Sequence, residues 1–319
     1  MKYDLDELLE VLEKTIKQVF GENLEAASLY GDICFPNDYV RGSSFSELVI
    51  VTKEVVKNLY KALRELKFLA PEIKKFGIDI QVIPKELFKV FYDEGIYPAI
   101  MAVHSNYYII GHEYLRDFQG KRYKNSKLAV NYLLCRALFT LSKALESGLR
   151  RDYLNIIRYF YVSIRLAASG LILGFLGEIP KSNSEMMGLL RDLNCKFFSK
   201  IIQGLKEMLT IRRKIKDSSE RRKILRDLRE SINFQHPITG FLHSRSFLHR
   251  LLKKAYEVNK SSWECIYKCK FMQFSDFTRI LKNHRSSEIS LYCLDDKPII
   301  EIINSDVKRL KLINEDELP

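Results

Sequence analysis

No apolar run in this sequence approaches the roughly 20 residues a bilayer-spanning helix needs. The longest, Leu166–Leu176, reads as a buried helix. A basic-then-apolar leader is also missing, because Asp4, Asp6, Glu7 and Glu10 come at once. These absences predict a cytoplasmic protein with no membrane partner. Cysteine is sparse: the six residues at 34, 135, 195, 265, 269 and 293 are scattered. Only Cys265 and Cys269 lie close together, and no His or Cys nearby completes a zinc pattern, so thiols in a reducing compartment are expected. There is no repeat of about 20–50 residues and no low-complexity tract. Signatures of RRM, KH, zinc-finger and helix–turn–helix modules are absent, so base-specific reading of nucleic acid is not expected.

What is present is a chain of 319 residues, 46% hydrophobic and 29% charged, enough for more than one core. Its formal charge of +12 is unevenly placed. Residues 1–120 carry 14 Lys and Arg against 19 Asp and Glu, whereas residues 196–260 carry 17 against 6. One segment is therefore mildly acidic and another strongly basic, as in proteins with a polyanion-facing surface.

The hydrophobic pattern gives an order of elements. Asp4–Phe20 has apolar residues at helical spacing, closed by Gly21. Ala26–Tyr30 and Leu48–Val51 read as strands, separated by turn formers at Pro36-Asn37-Asp38 and Gly42-Ser43-Ser44. Glu54–Leu69 reads as a helix ended by Pro71. In Ile78–Ile83, Ile78, Ile80 and Val82 alternate with Asp79 and Gln81, which makes a strand with one polar face. A short helix at Lys85–Tyr92, an apolar stretch at Tyr97–Val103 and a strand at Tyr107–Ile110 complete the first part. Lys121–Ser126 reads as a polar linker. Beyond it come helices at Lys127–Glu146, Asp152–Leu176, Met186–Lys214, Ser219–Ile232 and Phe241–Val258, the fourth capped by Ser218 or Ser219. A helix at Phe274–Leu281 and a hairpin of Ile289–Leu294 with Ile299–Ile303 form a tail. The predicted fold class is α+β with a mixed sheet at residues 1–120, an all-α helical bundle at 121–260 and a small C-terminal α/β unit at 261–319.

The stretch from Ala26 to Thr52 carries the one chemical motif. Gly31-Asp32 ends the first strand, Arg41-Gly42 lies in the loop, and Ser46-Glu47-Leu48-Val49 opens the second. This resembles the first motif of the nucleotidyltransferase (DNA polymerase β-like) superfamily: a strand ending in Gly-Ser, a variable loop, and a strand opening with Asp-x-Asp. The resemblance covers residues 26–115 and implies that fold for the N-terminal domain. It also implies Mg²⁺ held by carboxylates at i and i+2 of one strand, which alternation puts on the same face. By resemblance Glu47 is the first carboxylate and Asp79, on the later strand, the third; both are the candidate catalytic and metal residues. Gly31, Asp32 and Ser46 are the candidate nucleotide-binding residues. Two positions depart from the pattern. Val49 stands where the second carboxylate belongs, and Asp32 puts an anion where a phosphate should approach. Asp38 is the other acidic residue nearby, in the loop rather than on a strand.

The helical part has two further features. Arg212, Arg213, Lys214, Arg221, Arg222, Arg226 and Arg229 form a dense basic run that is the candidate nucleic-acid surface, with RNA or another polyanion as the expected partner. The alternative is a solvated face or a contact with a protein partner or a second copy of the chain. A core of this kind followed by helices resembles two arrangements, the family's own accessory helical domain and fusions to HEPN domains, whose ribonuclease motif is an Arg followed at short spacing by His. Arg229 and His236 have that spacing, although Pro237 would disturb a helix there. The expected function is that of a nucleotidyltransferase-like protein with a degenerate metal site, binding nucleotide, RNA or a protein partner. The alternatives are an active metal-dependent nucleotidyltransferase acting on RNA, protein or a small molecule, and a HEPN-like ribonuclease or its regulator.

Overall fold

The computed structural model describes residues 5–105, 107–124, 126–193, 196–232, 246–267, 271 and 273–275. The chain divides into two compact units. The first comprises residues 1–129 with 177–186, and the second comprises residues 130–176 with those from 187 on.

The first unit is a four-stranded mixed sheet with helices on both faces. Helix α1 (Leu5–Phe20) buries Leu8, Leu12, Ile16 and Phe20, a four-residue stripe along one side. Strands β1 (Leu24–Gly31) and β2 (Ser46–Thr52) pair antiparallel. Helix α2 (Leu59–Leu69) and the short α3 (Glu72–Phe76) lead to β3 (Ile78–Pro84), which pairs parallel with β2. Helices α4 (Lys85–Asp93) and α5 (Tyr97–Val103) precede β4 (Tyr107–Ile110), which pairs antiparallel with β1, and α6 (His112–Arg116) follows. The strand order is β3-β2-β1-β4. One face of the sheet, with Ala27, Leu29, Leu48, Ile50 and Ile78, shares a core with α1, α2 and α3. The other carries Ser28, Tyr30, Glu47 and Val49. Helix α5 lies on that side: Ser28 Oγ donates to Ala102 O at 3.1 Å, and the Tyr97 ring meets Tyr30 edge-on at 5.9 Å.

The second unit is helical. It takes in α7 (Lys127–Leu149) from Val130 on, α8 (Tyr153–Leu176), the end of α9 (Asn183–Asp192), whose start belongs to the first unit, and α10 (Lys196–Lys216), α11 (Ser218–Ile232) and α12 (Phe247–Tyr267). Helix α8 is the hub: Gly170 admits Leu134 of α7, Gly174 admits Ile266 of α12, and Ser163 accepts from Asn259 of α12 at 3.0 Å. By length and composition α8 could cross a membrane, but most of it is buried within the protein.

Several boundaries differ from the sequence reading. The helix expected from Glu54 starts only at Leu59, where the Asn58 side chain accepts from Lys61 N at 3.0 Å and fixes the start. Met186–Lys214 is not one helix but parts of α9 and α10. Helix α11 is capped by Asp217, whose carboxylate accepts from Ser219 and Glu220 N–H, rather than by Ser218 or Ser219. The Ser219 hydroxyl and these backbone donors hold the exposed Asp217 below its usual range. No break falls at residue 260, since α12 runs on to Tyr267 with Trp263 fully buried. Lys121–Ser126 is no loose linker: Lys121 O accepts from Tyr92 Oη at 2.9 Å, Lys124 N donates to Asp93 O at 2.8 Å, and Ser126 Oγ donates to Glu94 O at 2.6 Å. Most of Phe274–Leu281 and both strands of the expected tail hairpin lie outside the described residues.

Gly31 ends β1 at φ +100°, and a Cβ there would stand 2.3 Å from Phe45 O and 2.9 Å from Ser46 Cα. Neither the backbone conformation nor the space suits a side chain. Gly31→Ala should therefore lower the unfolding free energy by roughly 3 kcal/mol or more. Gly21→Ala, also at positive φ but with nothing within 4 Å, should cost about 1–2 kcal/mol. Urea denaturation of both variants checks the difference; equal losses would contradict the close approach at Gly31.

Candidate functional site

The register of the sheet decides what the motif can do. Glu47 on β2 is opposite Tyr30 on β1 and beside Asp79 on β3. Directly paired residues share a face, so Tyr30, Glu47 and Asp79 lie in a row across three strands, about 4.8 Å apart from strand to strand. Two residues further along, Val49 is paired with Gln81 on the same face. The register thus puts Glu47 and Asp79 side by side on one face. The second carboxylate position, Val49, is a buried apolar residue.

Glu47 is fully buried. Its Oε2 accepts a short hydrogen bond from the Tyr30 hydroxyl, and its Oε1 accepts from Gln81 Nε2 at 3.0 Å. A buried carboxylate is costly unless its oxygens find donors, and here a neighbour on each side supplies one. Sequence reasoning passed over both donors. Gln81 was within reach, because alternation already puts it on the face of Asp79. Tyr30 was not, because only the β1–β2 register shows that it meets Glu47.

The three nucleotide-binding candidates close the turn. Asp32 is fully buried; its N–H donates to Phe45 O at 2.6 Å and its Oδ2 accepts from Phe45 N at 3.0 Å. Ser46, equally buried, accepts from Ile33 N at 3.2 Å through its hydroxyl. Together with Gly31 they extend the β1–β2 ladder past the end of the strands. Asp38 accepts from Asn183 N at 2.9 Å, at the start of α9. Cys34 sits in this turn, and burial, with the nearby Asp32 charge adding to it, pushes its thiol up to about 12.

Among the described residues no group of three His, Cys, Asp or Glu side chains is placed to hold a metal ion. Glu47 carries hydrogen-bond donors on both oxygens, and the i+2 position is Val49.

In the helical unit the basic run splits. Arg213, Lys214, Arg221, Arg222, Arg226 and Arg229 are exposed along the end of α10 and along α11. Arg212 is the exception and corrects the expected surface: it is 1% exposed, with its guanidinium 3.7 Å from the centre of the Tyr161 ring. The same Tyr161 hydroxyl accepts from Arg165 at 2.9 Å, and Arg165 is also fully buried. The helix period explains the split, since Arg212 lies on the side of α10 that carries Leu205, Met208 and Ile215. Lys214 lies 4.0 Å from Glu220 and Arg226 3.9 Å from Glu230, loose exposed pairs that neutralise little. His236, the other half of the expected ribonuclease pair with Arg229, lies outside the described residues.

Comparison of the chain with protein-family models, curated proteins and solved structures gives no match.

The thiol of Cys34 yields a test of how tightly the turn is closed. The folded chain keeps that proton to about pH 12, whereas an unfolded thiol ionises near 9.0. The folded state binds the proton more tightly, so this contribution to stability is complete below pH 9 and falls away as pH rises toward 12. Native protein treated with iodoacetamide at pH 8 should remain unmodified at Cys34 and become alkylated only when denatured, as read by peptide mass mapping. Rapid alkylation of the native chain would mean that the turn opens.

Proposed function

We propose that this protein is a nucleotidyltransferase-like scaffold that does not carry out two-metal nucleotide transfer and works by binding RNA. The observation that carries the reading is the state of Glu47, whose oxygens are both engaged by Tyr30 and Gln81 inside the sheet. A metal-binding carboxylate needs oxygens directed at the ion. Here the carboxylate tethers three strands. Asp32 and Ser46, the counterparts of phosphate-cradling groups, instead hydrogen-bond to the backbone of the same turn. RNA binding is supported by the exposed cations of α10 and α11, Arg213, Lys214, Arg221, Arg222, Arg226 and Arg229 among them, a density of positive charge suited to phosphate contacts.

Two measurements test the two halves. Incubation with labelled nucleoside triphosphates, Mg²⁺ or Mn²⁺, and RNA or protein acceptors should give no incorporation above that of Glu47→Gln. Robust incorporation that Glu47→Gln or Asp79→Asn abolishes would establish the enzyme instead. For binding, log affinity should fall linearly with log salt, with a slope of about −0.7 per phosphate contacted on single strands. Replacing Arg213, Arg221, Arg222 and Arg226 by Ala should flatten that slope by up to about 3 and weaken all RNA sequences alike. Arg212→Ala should leave the slope unchanged and cost about 2 kcal/mol of stability, through the lost contact with Tyr161. RNA binding indifferent to salt and to the four changes would shift the reading to a protein interface.

A further inference from the structure

The two most exposed large apolar side chains among the described residues lie on one helix, α2: Phe68 at 82% and Tyr60 at 79%. With 100° per residue, Tyr60, Lys61, Arg64, Lys67 and Phe68 fall within an arc of about 120°. All five are exposed. The opposite arc holds Ala62, Leu63, Leu66 and Leu69. Leu66 is fully buried, and Ala62 packs against the core shared with α1. The helix has thus spent its apolar face on the fold and still holds two large rings in water, interleaved with three cations. Only Glu65 among the residues of α2 carries the opposite charge. This is a local reversal of sign in a unit whose sequence is acidic on balance.

We infer that the outer face of α2 is a stacking platform for single-stranded nucleic acid, with Tyr60 and Phe68 receiving bases and Lys61, Arg64 and Lys67 receiving phosphates. Two rings eight residues apart stand about 12 Å apart along the helix, so separate bases reach them. Base–aromatic stacking tolerates any sequence, because every base has a π-face, and the neighbouring cations follow the backbone. Charge complementarity favours this polyanion over a neutral partner. The mixing of rings and cations on one arc disfavours a lipid surface, where an interfacial helix segregates its apolar face from its charges. Double-stranded nucleic acid keeps its bases stacked within the duplex and offers the rings nothing. This surface is on a different unit from the basic face of α10 and α11. It deepens the reading of the chain as an RNA binder by naming the form of RNA, and it can be tested apart from that face.

The test uses the full chain and a fluorescein-labelled 12-nucleotide oligouridylate, read by anisotropy at low salt, with a duplex of equal length alongside. Tyr60→Ala with Phe68→Ala should weaken single-strand binding by about tenfold or more and leave duplex binding unchanged. Circular dichroism should show an unaltered fold, since both side chains are exposed. Lys61, Arg64 and Lys67 changed together to Ala should flatten the salt slope by about 2. In a chain already lacking Arg213, Arg221, Arg222 and Arg226, an oligonucleotide carrying 5-iodouracil should still crosslink to Tyr60 or Phe68 on irradiation. Loss of that crosslink with the rings intact would overturn the α2 platform as an independent site. Oligouridylate binding that ignores the two ring substitutions, or duplex binding that falls equally with them, would overturn the stacking role. So would failure of the unaltered chain to bind the oligonucleotide at all. Binding of anionic vesicles that depends on Tyr60 and Phe68, without oligonucleotide binding, would assign the face to a membrane surface instead.

Discussion

Everything at the candidate site depends on one buried carboxylate. Glu47 stands in the middle of the sheet, on β2, with Tyr30 of β1 and Gln81 of β3 each donating to one of its oxygens. Burying a carboxyl group away from water costs several kcal/mol unless hydrogen-bond partners in the protein replace it. The tyrosine hydroxyl and the glutamine amide replace it from the two flanking strands. The arrangement also ties the register: sliding either neighbour by one residue would turn its donor to the opposite face. The same two hydrogen bonds that make Glu47 tolerable inside the fold join its strand to both neighbours.

The turn beside it follows the same logic. Asp32 and Ser46 are buried polar residues at the end of a strand pair. In this chain they answer backbone groups of Phe45 and Ile33. In the helical unit, Arg212 and Arg165 meet around Tyr161 within the bundle, while Arg213 and Lys214, which follow Arg212, remain in water. In both units, residue types associated with ligands are divided between the interior and the surface, and the division decides which of them can act.

Much of the architecture was legible in the sequence because it rests on periodicity. The alternation at Ile78–Ile83, the four-residue stripe of α1 and the Gly31 stop each correspond to an element. The same alternation put Asp79 and Gln81 on one face. What was not legible depended on register or on tertiary contacts. No local pattern pairs Tyr30 with Glu47, and the density of basic residues around Arg212 masked its place in the buried stripe of Leu205, Met208 and Ile215. The polar composition of Lys121–Ser126 suggested a linker, but its hydrogen bonds go to Tyr92, Asp93 and Glu94, 29 to 32 residues earlier in the chain. The break within Met186–Lys214 was hidden because apolar residues continue on both sides of it.

The central claim, that Glu47 is a structural group of the sheet and not a metal ligand, is tested most directly by paramagnetic relaxation. Mn²⁺ would be titrated with and without a nucleoside triphosphate into the full-length protein labelled with ¹⁵N, and the amide resonances of β2 and β3 followed. The account predicts that the amides of Ser46–Val49 and of Asp79–Gln81 keep their intensities while any loss is confined to exposed carboxylates elsewhere. Selective, saturable broadening centred on Glu47 and Asp79 would show a metal bound between them and contradict it.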